Sequence, residues 1–412
     1  MYLIYMLKEM ETVLSEKTVK IVKSTVPVLE EYGTTITSTF YKRMFQNHPE
    51  LLNYFNHVNQ RRGTQPTALA NTVIAAGKHI DELEIILPAV KQIAHKHRAL
   101  SIRPEHYPIV GENLLAAIKE VLGEAATDEI LQAWAEAYEE IANVFIQVEG
   151  EMYREASLQK GGWTDFKAFT VIDKIKESEV ITSFYLKPTD GASIPTYLPG
   201  QYITVRLSIP DEKFKHNRHY SLSCAPGNDY FRISVKRENE CEPLGVVSNY
   251  LHDHVHVGDQ LEISAPAGDF VLNTEETEPV AFISGGVGIT PLLSMFETLV
   301  KDNSEREITF IQAAKNENVQ AFGDYVKELA KKLNKAKVYT VLEQKNLEET
   351  DCDHIGYIDL SFLQKVVSKN TICYLCGPVP FMKAVVQILN QMGLPEHHIR
   401  YEFFGPKVDF IQ

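Results

Sequence analysis

The chain has 412 residues, of which 44% are hydrophobic and 23% are charged, so we expect a globular protein of several domains. A formal net charge of -14, without any Lys/Arg-rich run, argues against nucleic acid as a partner. The five cysteines are too sparse for a disulfide framework, which predicts a reducing compartment, the cytoplasm.

The N-terminal stretch MYLIYMLKEM is apolar only until Lys8 and Glu9 interrupt it. A membrane span needs about 20 apolar residues, so we expect no stable association with a membrane. The stretch also has no clear signal-peptide pattern. The sequence leaves open whether translation starts at Met1 or at Met10.

An all-α domain is predicted over residues 1–158. From about Ser15 onward the apolar residues recur at helical spacing, as in Val19, Val22 and Val26. Proline and glycine residues interrupt this pattern near the expected helix ends. We therefore expect several helices and no strand in this region.

Two further domains are predicted after the Gly pair in QKGGWTDF, where the pattern changes to period two. Segments such as QYITVRLSI and YFRISVKR lie between Gly, Pro, Asn and Asp turns, which predicts an antiparallel β-barrel over residues 166–269. Over residues 278–412 short apolar strands alternate with helical segments. That alternation predicts a doubly wound α/β domain with a parallel sheet.

A glycine-rich turn joins the strand PVAFIS to the next helix, and it is followed by Ile289, Thr290 and Pro291. Such a turn lets the backbone approach a phosphate, and the helix N-terminus supplies N–H donors. The pattern is not the full G-x-G-x-x-G fingerprint, so an ordinary tight turn is the alternative.

A second short motif, Arg218-His219-Tyr220-Ser221, follows PGQY and lies at the start of a barrel strand. Arginine can bind a pyrophosphate with two N–H groups, tyrosine can cover a flavin ring, and serine can bond a flavin nitrogen. By itself the motif is so short that an ordinary strand with an exposed arginine is the better explanation.

The order of the motifs is more informative than any one of them. PGQY, RHYS, GVVS, GGVGIT, CGP and a terminal FFGP follow one another along the chain. In this order the chain from about residue 166 to 412 resembles the ferredoxin-NADP reductase family, in which a flavin barrel precedes a pyridine-nucleotide domain.

This resemblance implies a set of cofactor-binding residues. Those implied to hold FAD are Tyr202, Arg218, His219, Tyr220, Ser221, Val247 and Ser248. Those implied to contact NAD(P)H, at its phosphates or near its nicotinamide, are Gly286, Val287, Gly288, Ile289, Thr290, Pro291, Cys376 and Gly377. The C-terminal motif implied to lie at the flavin is Phe403, Phe404, Gly405 and Pro406. Phe404 would cover the flavin face, and a packed C-terminal aromatic is its alternative.

A reduced flavin can release electrons one at a time, so the helical domain is expected to carry an electron acceptor, with haem as the candidate. In the predicted helix LPAVKQIAHKHRAL, Leu87, Val90 and Ala94 mark an apolar face. His97 falls at the next step of three along that face, whereas His95 does not. Periodicity alone leaves a buried core histidine as an alternative to an iron ligand.

The helical region carries further motifs, among them TFYKRMF, PELLNYFNHVNQRRGTQ, EHYPIVGENLL and AWAEAYEEIANVFIQVEGEMY. Together they resemble the globin domain of bacterial flavohemoglobins. With both halves present in this order, nearly the whole chain is similar to that family. The family implies a globin domain, an FAD barrel and an NAD(P)-binding domain, with haem b, FAD and NAD(P)H as cofactors.

Carried over residue by residue, the resemblance implies that His97 is the metal ligand, on the proximal side of the haem. Tyr41 and Gln65 would stand on the distal side, and Phe55 would pack on the porphyrin. A buried helix tyrosine with a backbone partner is the alternative for Tyr41. A phenolic O–H suits the distal side because it can donate to O2 as that molecule gains negative charge.

Tyr107 and Glu149 match the proximal pair that forms a hydrogen-bonded network with the ligand histidine. A carboxylate accepting from the imidazole makes the ring more electron-donating, which favours O2 activation over storage. Because Glu151 is close by, a solvated helix face is the alternative for Glu149. Lys96 and Glu402 match family positions near the haem–FAD junction.

The family implies a nitric oxide dioxygenase that detoxifies NO by converting NO and O2 to nitrate, with electrons passed from NAD(P)H through FAD to haem. One alternative is an O2 or NO sensor or carrier that its reductase keeps ferrous. Another is a haem-independent flavin or ferric reductase. The sequence does not decide between NADH and NADPH, and we expect a monomer.

Overall fold

The structure is a computed structural model that describes residues 14–55, 63–239, 244–346 and 351–404. The chain divides into two compact units. The first comprises residues 1–158 with 208–217, and the second comprises residues 159–207 with 218–412. The predicted limits of the three domains stay predictions.

Every regular element described in residues 14–158 of the first unit is a helix. Its α-helices are α1 (Glu16–Asn47), α2 (Thr64–Lys78), α3 (Leu87–Ala99), α4 (His106–Leu122) and α5 (Asp128–Leu158). Short 3-10 turns lie at Pro49–Asn53, Leu83–Ile86 and Gly123–Ala125. The prediction of an all-α domain is confirmed.

Local sequence explains how these helices begin and which face they bury. The hydroxyl of Ser15 accepts from the Thr18 N–H at 3.0 Å, which caps the start of α1. In α3 the predicted apolar face is confirmed, since Leu87, Val90 and Ala94 are buried.

Among the described residues, no helix combines the length and the apolar character that crossing a bilayer requires.

The crossing of α4 and α5 depends on a glycine. A Cβ atom at Gly111 would lie 2.5 Å from the ring of Tyr138, which is closer than any real contact. Because Gly111 has no side chain, the Tyr138 hydroxyl can reach across and donate to the Tyr107 carbonyl at 2.7 Å. The crossing therefore fixes the backbone at Tyr107.

The second unit begins with a six-stranded antiparallel sheet in the order β4-β3-β6-β1-β2-β5. Its strands are β1 (Phe166–Lys176), β2 (Ile181–Pro188), β3 (Tyr202–Leu207), β4 (His216–Ser221), β5 (Phe231–Lys236) and β6 (Gln260–Ser264), with helix α6 (Val246–His254) between β5 and β6. A bridge between Leu222 and Ile233 joins the continuation of β4 to β5, which closes the sheet into the predicted barrel.

A six-stranded parallel sheet follows in the order β10-β9-β8-β7-β11-β12. Its strands are β7 (Val280–Gly285), β8 (Ile308–Ala314), β9 (Ala336–Leu342), β10 (His354–Ile355), β11 (Ile372–Cys376) and β12 (Ile399–Glu402), and its helices are α7 (Ile289–Lys301), α8 (Gly323–Ala330), α9 (Leu360–Val366) and α10 (Val379–Gln391). The strand order reverses between β7 and β11. Ligands of such sheets bind at the carboxyl ends of the strands beside this reversal.

We predict that Gly111→Ala destabilises the first unit by about 1–3 kcal/mol, because the added methyl group overpacks the crossing of α4 and α5. The control is Gly150→Ala in α5, where a Cβ would meet no atom within 4 Å. That change should be neutral or stabilise by up to about 1 kcal/mol. Urea unfolding followed by haem absorbance measures both. Equal effects of the two changes would contradict the assigned role of Gly111.

Candidate cofactor sites

Three helices bring a buried carboxylate against an imidazole and a phenol. His97 on α3 places Nδ1 2.7 Å from Oε1 of Glu149 on α5. The hydroxyl of Tyr107 on α4 donates to the same oxygen at 2.6 Å. Glu149 is 2% exposed, so the alternative of a solvated helix face is wrong at this position.

The electrostatics of this group fix where its protons lie. Burial, together with the adjacent Glu149 carboxylate, raises the pKa of Tyr107, so the phenol stays protonated and donates. A carboxylate accepts hydrogen bonds, so the contact requires the hydrogen on Nδ1 of His97, and the neutral ring of that tautomer has a lone pair on Nε2. The His97 side chain is 33% exposed, unlike an enclosed core histidine. These properties fit an iron ligand oriented by a carboxylate.

Aromatic side chains surround Tyr41, the residue implied for the distal side. Tyr41 lies on α1 and is buried, and its ring centroid is 5.8 Å from those of both Phe45 and Phe55. The structure therefore brings Tyr41 and Phe55 together, as the resemblance requires. These rings give the Tyr41 phenol a largely apolar environment.

Gln65 lies in the first turn of α2 and is half-buried. The neighbouring Pro66 carbonyl accepts from Thr37 Oγ1 at 2.8 Å, and Thr37 is one turn before Tyr41 on α1. This bond holds the start of α2 close to Tyr41. Lys96 lies in the last turn of α3, next to His97.

The flavin-motif residues lie on β4 and at the start of β3. Arg218 and Tyr220 share one face of β4, because alternate residues of a strand point to the same side. Burial lowers the pKa of the Arg218 guanidinium, so its charge would be stabilised by an anion such as a pyrophosphate. Arg218 is half-buried and thus not the exposed arginine of an ordinary strand.

The other face of β4 carries His219 and the buried Ser221. His219 packs against Tyr202, with ring centroids 4.8 Å apart, and its Nδ1 lies 2.8 Å from the hydroxyl oxygen of Thr204. These contacts hold β3 and β4 in register next to the motif. The structure therefore brings Tyr202 to the same strand pair as the arginine motif.

Helix α6 carries the two residues implied to lie near a pyrophosphate, Val247 and Ser248, in its first turn. At its other end the ammonium group of Lys174 donates to the carbonyl oxygens of His252 and Val255 at 2.7 Å each. The lysine therefore supplies hydrogen-bond donors to carbonyl groups at the C-terminus of α6. The opposite end, where Val247 and Ser248 lie, is the positive end of the helix dipole.

The glycine turn after β7 packs against the turn after β11. A Cβ atom at Gly288 would lie 2.2 Å from the Cys376 carbonyl oxygen and 2.6 Å from the Gly377 nitrogen. Gly286 has a φ of +54° with open space beside it, which leaves room for a ligand close to the backbone. The two implied nucleotide segments are therefore adjacent, at the point where the strand order reverses.

The remaining residues of this turn begin helix α7. The Thr290 hydroxyl donates to the Val287 carbonyl at 3.0 Å, and Ile289, Thr290 and Pro291 are buried in the first helical turn. Burial raises the pKa of Cys376 well above its usual range, so this thiol stays protonated.

The C-terminal motif is described only as far as Phe404. Phe404 is 51% exposed, so it is not packed in a core, whereas Phe403 lies against Tyr401 with ring centroids 5.6 Å apart. Glu402 ends β12. Gly405 and Pro406 lie outside the described residues.

One polar group was not predicted from the sequence. Arg232 on β5 and Glu297 on α7 form an ion pair of 2.8 Å with both side chains almost fully buried. The sequence signal for this pair was Glu297, the one acidic residue in the mainly apolar helix segment TPLLSMFETLVK. A charge in a buried segment requires a partner, but the sequence alone does not say which one.

Three family models match successive parts of the chain. The model described as Globin matches residues 38–145, the Oxidoreductase FAD-binding domain matches residues 168–272, and the Oxidoreductase NAD-binding domain matches residues 282–387. These matches confirm the predicted order of domains. They define a class of oxidoreductase in which an NAD(P)H- and FAD-dependent reductase is joined to a globin.

Individual relatives extend the similarity to the whole chain. A flavohemoprotein of Bacillus thuringiensis subsp. konkukian (strain 97-27) is 54% identical over 95% of this chain and 98% of its own length. The crystal structure of flavohemoglobin from Malassezia yamatoensis with bound FAD and haem has a TM-score of 0.84 at 30% identity, covering 95% of this chain and 100% of that one.

A third match is to the FAD/NAD-binding domain of nitric oxide dioxygenase from Vibrio cholerae O1 biovar El Tor. It has a TM-score of 0.55 at 36% identity and covers 59% of this chain and 100% of that one. The chain belongs to the flavohemoprotein family. The predicted family, fold class and cofactors, which are haem, FAD and a pyridine nucleotide, are confirmed.

We predict that Glu149→Gln raises the reduction potential of the haem by about 60 mV, a tenfold change in a one-electron equilibrium. The neutral amide is a weaker acceptor, so His97 donates less electron density. The control is Glu151→Gln on the same helix, where the carboxylate bonds Arg154 at 2.7 Å. It should leave the potential unchanged in a spectroelectrochemical titration. A shift of similar size in both variants would rule out the specific role of Glu149.

We predict that Gly288→Ala weakens nucleotide binding at least about tenfold, because the methyl group must displace backbone of the facing turn. The NADH concentration at half-maximal FAD reduction measures the effect. Gly323→Ala is the control, since its Cβ would meet only the flexible side chain of Gln320, at 3.0 Å. Normal binding by Gly288→Ala would show that this approach of the two turns does not shape the site.

Proposed function

We propose that this protein is a nitric oxide dioxygenase, which converts NO and O2 to nitrate with electrons from NAD(P)H. The observation that carries the proposal is the buried Glu149 carboxylate, 2.7 Å from Nδ1 of His97. The family relationship supports it, because the related domain from Vibrio cholerae belongs to a protein of that name. The proposed role is the removal of NO.

The reaction balances with the proposed cofactors. Each nitrate contains the atoms of one NO and one O2 and carries one added electron. One NAD(P)H supplies two electrons, so it supports the conversion of two NO and two O2 to two nitrates, with release of one proton. When bound, FAD would supply the conversion of an electron pair from NAD(P)H into single electrons, which matches a one-electron acceptor.

On the proximal side, we assign His97 as the ligand of the haem iron, through Nε2. When bound, haem supplies the iron centre at which NO and O2 react. Glu149 holds the proton on Nδ1 of His97 and increases the electron density of the ring. Tyr107 fixes the carboxylate by donating to the oxygen that faces His97. An electron-rich ligand of this kind favours the activation of O2 over its reversible storage.

On the distal side, we assign Tyr41 as the donor to the O2 substrate. Its phenol lies among Phe40, Phe45 and Phe55, where an O–H group interacts more strongly than it would in water. Negative charge that develops on the substrate is stabilised by such a donor. Gln65 is assigned to the same side, and Phe55 is assigned to pack on the porphyrin.

In the reductase part, we assign Arg218, Tyr220, Ser221 and the first turn of α6 to FAD. We assign Gly286 to Pro291, with Cys376 and Gly377, to the pyridine nucleotide. The open space at Gly286 and the desolvated guanidinium of Arg218 support these assignments. Lys96 and Glu402 are assigned electrostatic roles in electron transfer. A monomer in the cytoplasm is part of the same proposal.

The proposal is tested by measuring NADH oxidation by the purified holoprotein with NO and O2 supplied separately and together. Rapid oxidation is expected only when both gases are present, with two NO consumed for each NADH. NADH oxidation that does not respond to NO would indicate a carrier or sensor. Full physiological reductase activity in His97→Ala would instead indicate a haem-independent reductase.

We predict that Tyr41→Phe speeds the dissociation of O2 from the ferrous protein at least about tenfold, because one charge-stabilising hydrogen bond of roughly 1.5–3 kcal/mol is lost. The control is Tyr32→Phe, which removes an exposed hydroxyl from the same helix and should change nothing. Flash photolysis or stopped-flow measurement gives both rate constants. An unchanged rate in Tyr41→Phe would exclude the distal role.

A further inference from the structure

Glu297 is a buried charge in the helix that begins at the nucleotide turn. It lies on α7, and it is 6% exposed. Its carboxylate accepts from the Ala225 N–H at 2.7 Å, from the Arg232 guanidinium at 2.8 Å and from the Tyr325 hydroxyl at 3.0 Å. Three donors from separate parts of the second unit therefore converge on one side chain.

Arg232, the partner of Glu297, lies on β5 of the barrel and is also almost fully buried. It donates to the Ser223 hydroxyl at 3.1 Å and to the Ser223 carbonyl oxygen. Its guanidinium also lies over the rings of Phe322 and Tyr325, 5.3 and 5.8 Å from their centroids. The arginine thus links the segment after β4 to Glu297.

The segment after β4 is attached to α7 by direct hydrogen bonds, of which two are buried, and Lys301 at the end of α7 also donates to the Pro226 carbonyl at 3.0 Å. The Cys224 carbonyl accepts from the Ser294 hydroxyl at 2.6 Å, and the Ala225 N–H donates to Glu297 at 2.7 Å. Ser294 and Glu297 are one turn apart on α7, so they face the same side. The strand that carries the flavin motif and the helix that begins at the nucleotide turn are therefore joined a few residues beyond Ser221.

The nature of the contact points to orientation more than to stability. Two buried charges lose solvation, and a well-packed apolar pair of similar size is often as stable or more so. Directional hydrogen bonds, in contrast, fix the rotation of a helix about its axis and its position along that axis. Glu297 lies about 12 Å along α7 from Ile289, so a tether at Glu297 sets the position of the glycine turn through a rigid helix.

We propose that Glu297, held by Arg232, is a positioning residue for hydride transfer from NAD(P)H to FAD. It holds α7 against the end of the flavin strand, so that the two reacting rings meet at the required separation of about 3–3.5 Å. In this step a C–H bond at nicotinamide C4 breaks and an N–H bond forms at flavin N5. Both electrons move with the hydride, giving NAD(P)+ and the anionic reduced flavin. The inference rests on the proposed flavin and nucleotide sites.

The test compares Glu297→Gln with Asp229→Asn in the full-length holoprotein. Asp229 is a matched carboxylate near the same segment, but it is 77% exposed and pairs with Lys187. In anaerobic stopped-flow experiments, Glu297→Gln should slow FAD reduction by NADH at least about tenfold, since a small misplacement of reacting atoms is costly. The NADH concentration at half-maximal rate should change less than about threefold, and Asp229→Asn should match the parent protein.

A second readout does not depend on turnover. Without nucleotide, hydrogen–deuterium exchange over residues 221–226 should be faster in Glu297→Gln, because the Ala225 N–H loses its charged acceptor. Arg232→Lys keeps the charge but loses the bonds to Ser223, so it should also slow FAD reduction, whereas exchange at Ala225 should stay close to that of the parent because Glu297 still accepts from its N–H. It also supplies the comparison if Glu297→Gln does not fold.

Two outcomes would overturn the proposal. One is a rate of FAD reduction within about twofold of the parent in a folded variant that retains FAD. The other is a slow rate that comes only with loss of FAD or of nucleotide affinity, which would mean a structural role. Both measurements omit NO and O2, so failure of the dioxygenase proposal would leave this comparison valid.

Discussion

A carboxylate removed from water must be surrounded by donors, and Glu149 is the residue on which the haem part of the structure depends. Its donors are the imidazole of His97 and the phenol of Tyr107, which come from different helices. Helices α3, α4 and α5 must therefore meet at one point. Gly111 permits the close crossing of α4 and α5, and Tyr138 secures it by bonding the Tyr107 carbonyl.

In the second unit, too, a buried charge connects elements that are distant in sequence. Glu297 connects α7 to the barrel, while Gly288 lets the turn before α7 touch the turn after β11. The two features act on the same helix. One sets how α7 lies against the barrel, and the other sets how its N-terminus lies beside the neighbouring strand of the parallel sheet.

Local patterns in the sequence were sufficient for the fold class, because helical spacing, strand alternation and the order of short motifs are local properties. The apolar face of α3 was predicted in this way. Periodicity could not name the partner of His97, which lies 52 residues away, and only the family resemblance did so. Nothing in the sequence paired Arg232 with Glu297, because long-range pairs are set by packing and leave no periodic signal.

The proposed role of the His97–Glu149 pair and of Tyr41 is the conversion of NO to nitrate. The most direct measurement is the mass of nitrate formed by the holoprotein from NO, NADH and isotopically labelled dioxygen. We expect both labelled oxygen atoms of one dioxygen molecule to enter each nitrate, and we expect nitrate formation to stop without NADH. Nitrate that carries one labelled atom or none would contradict the proposed role.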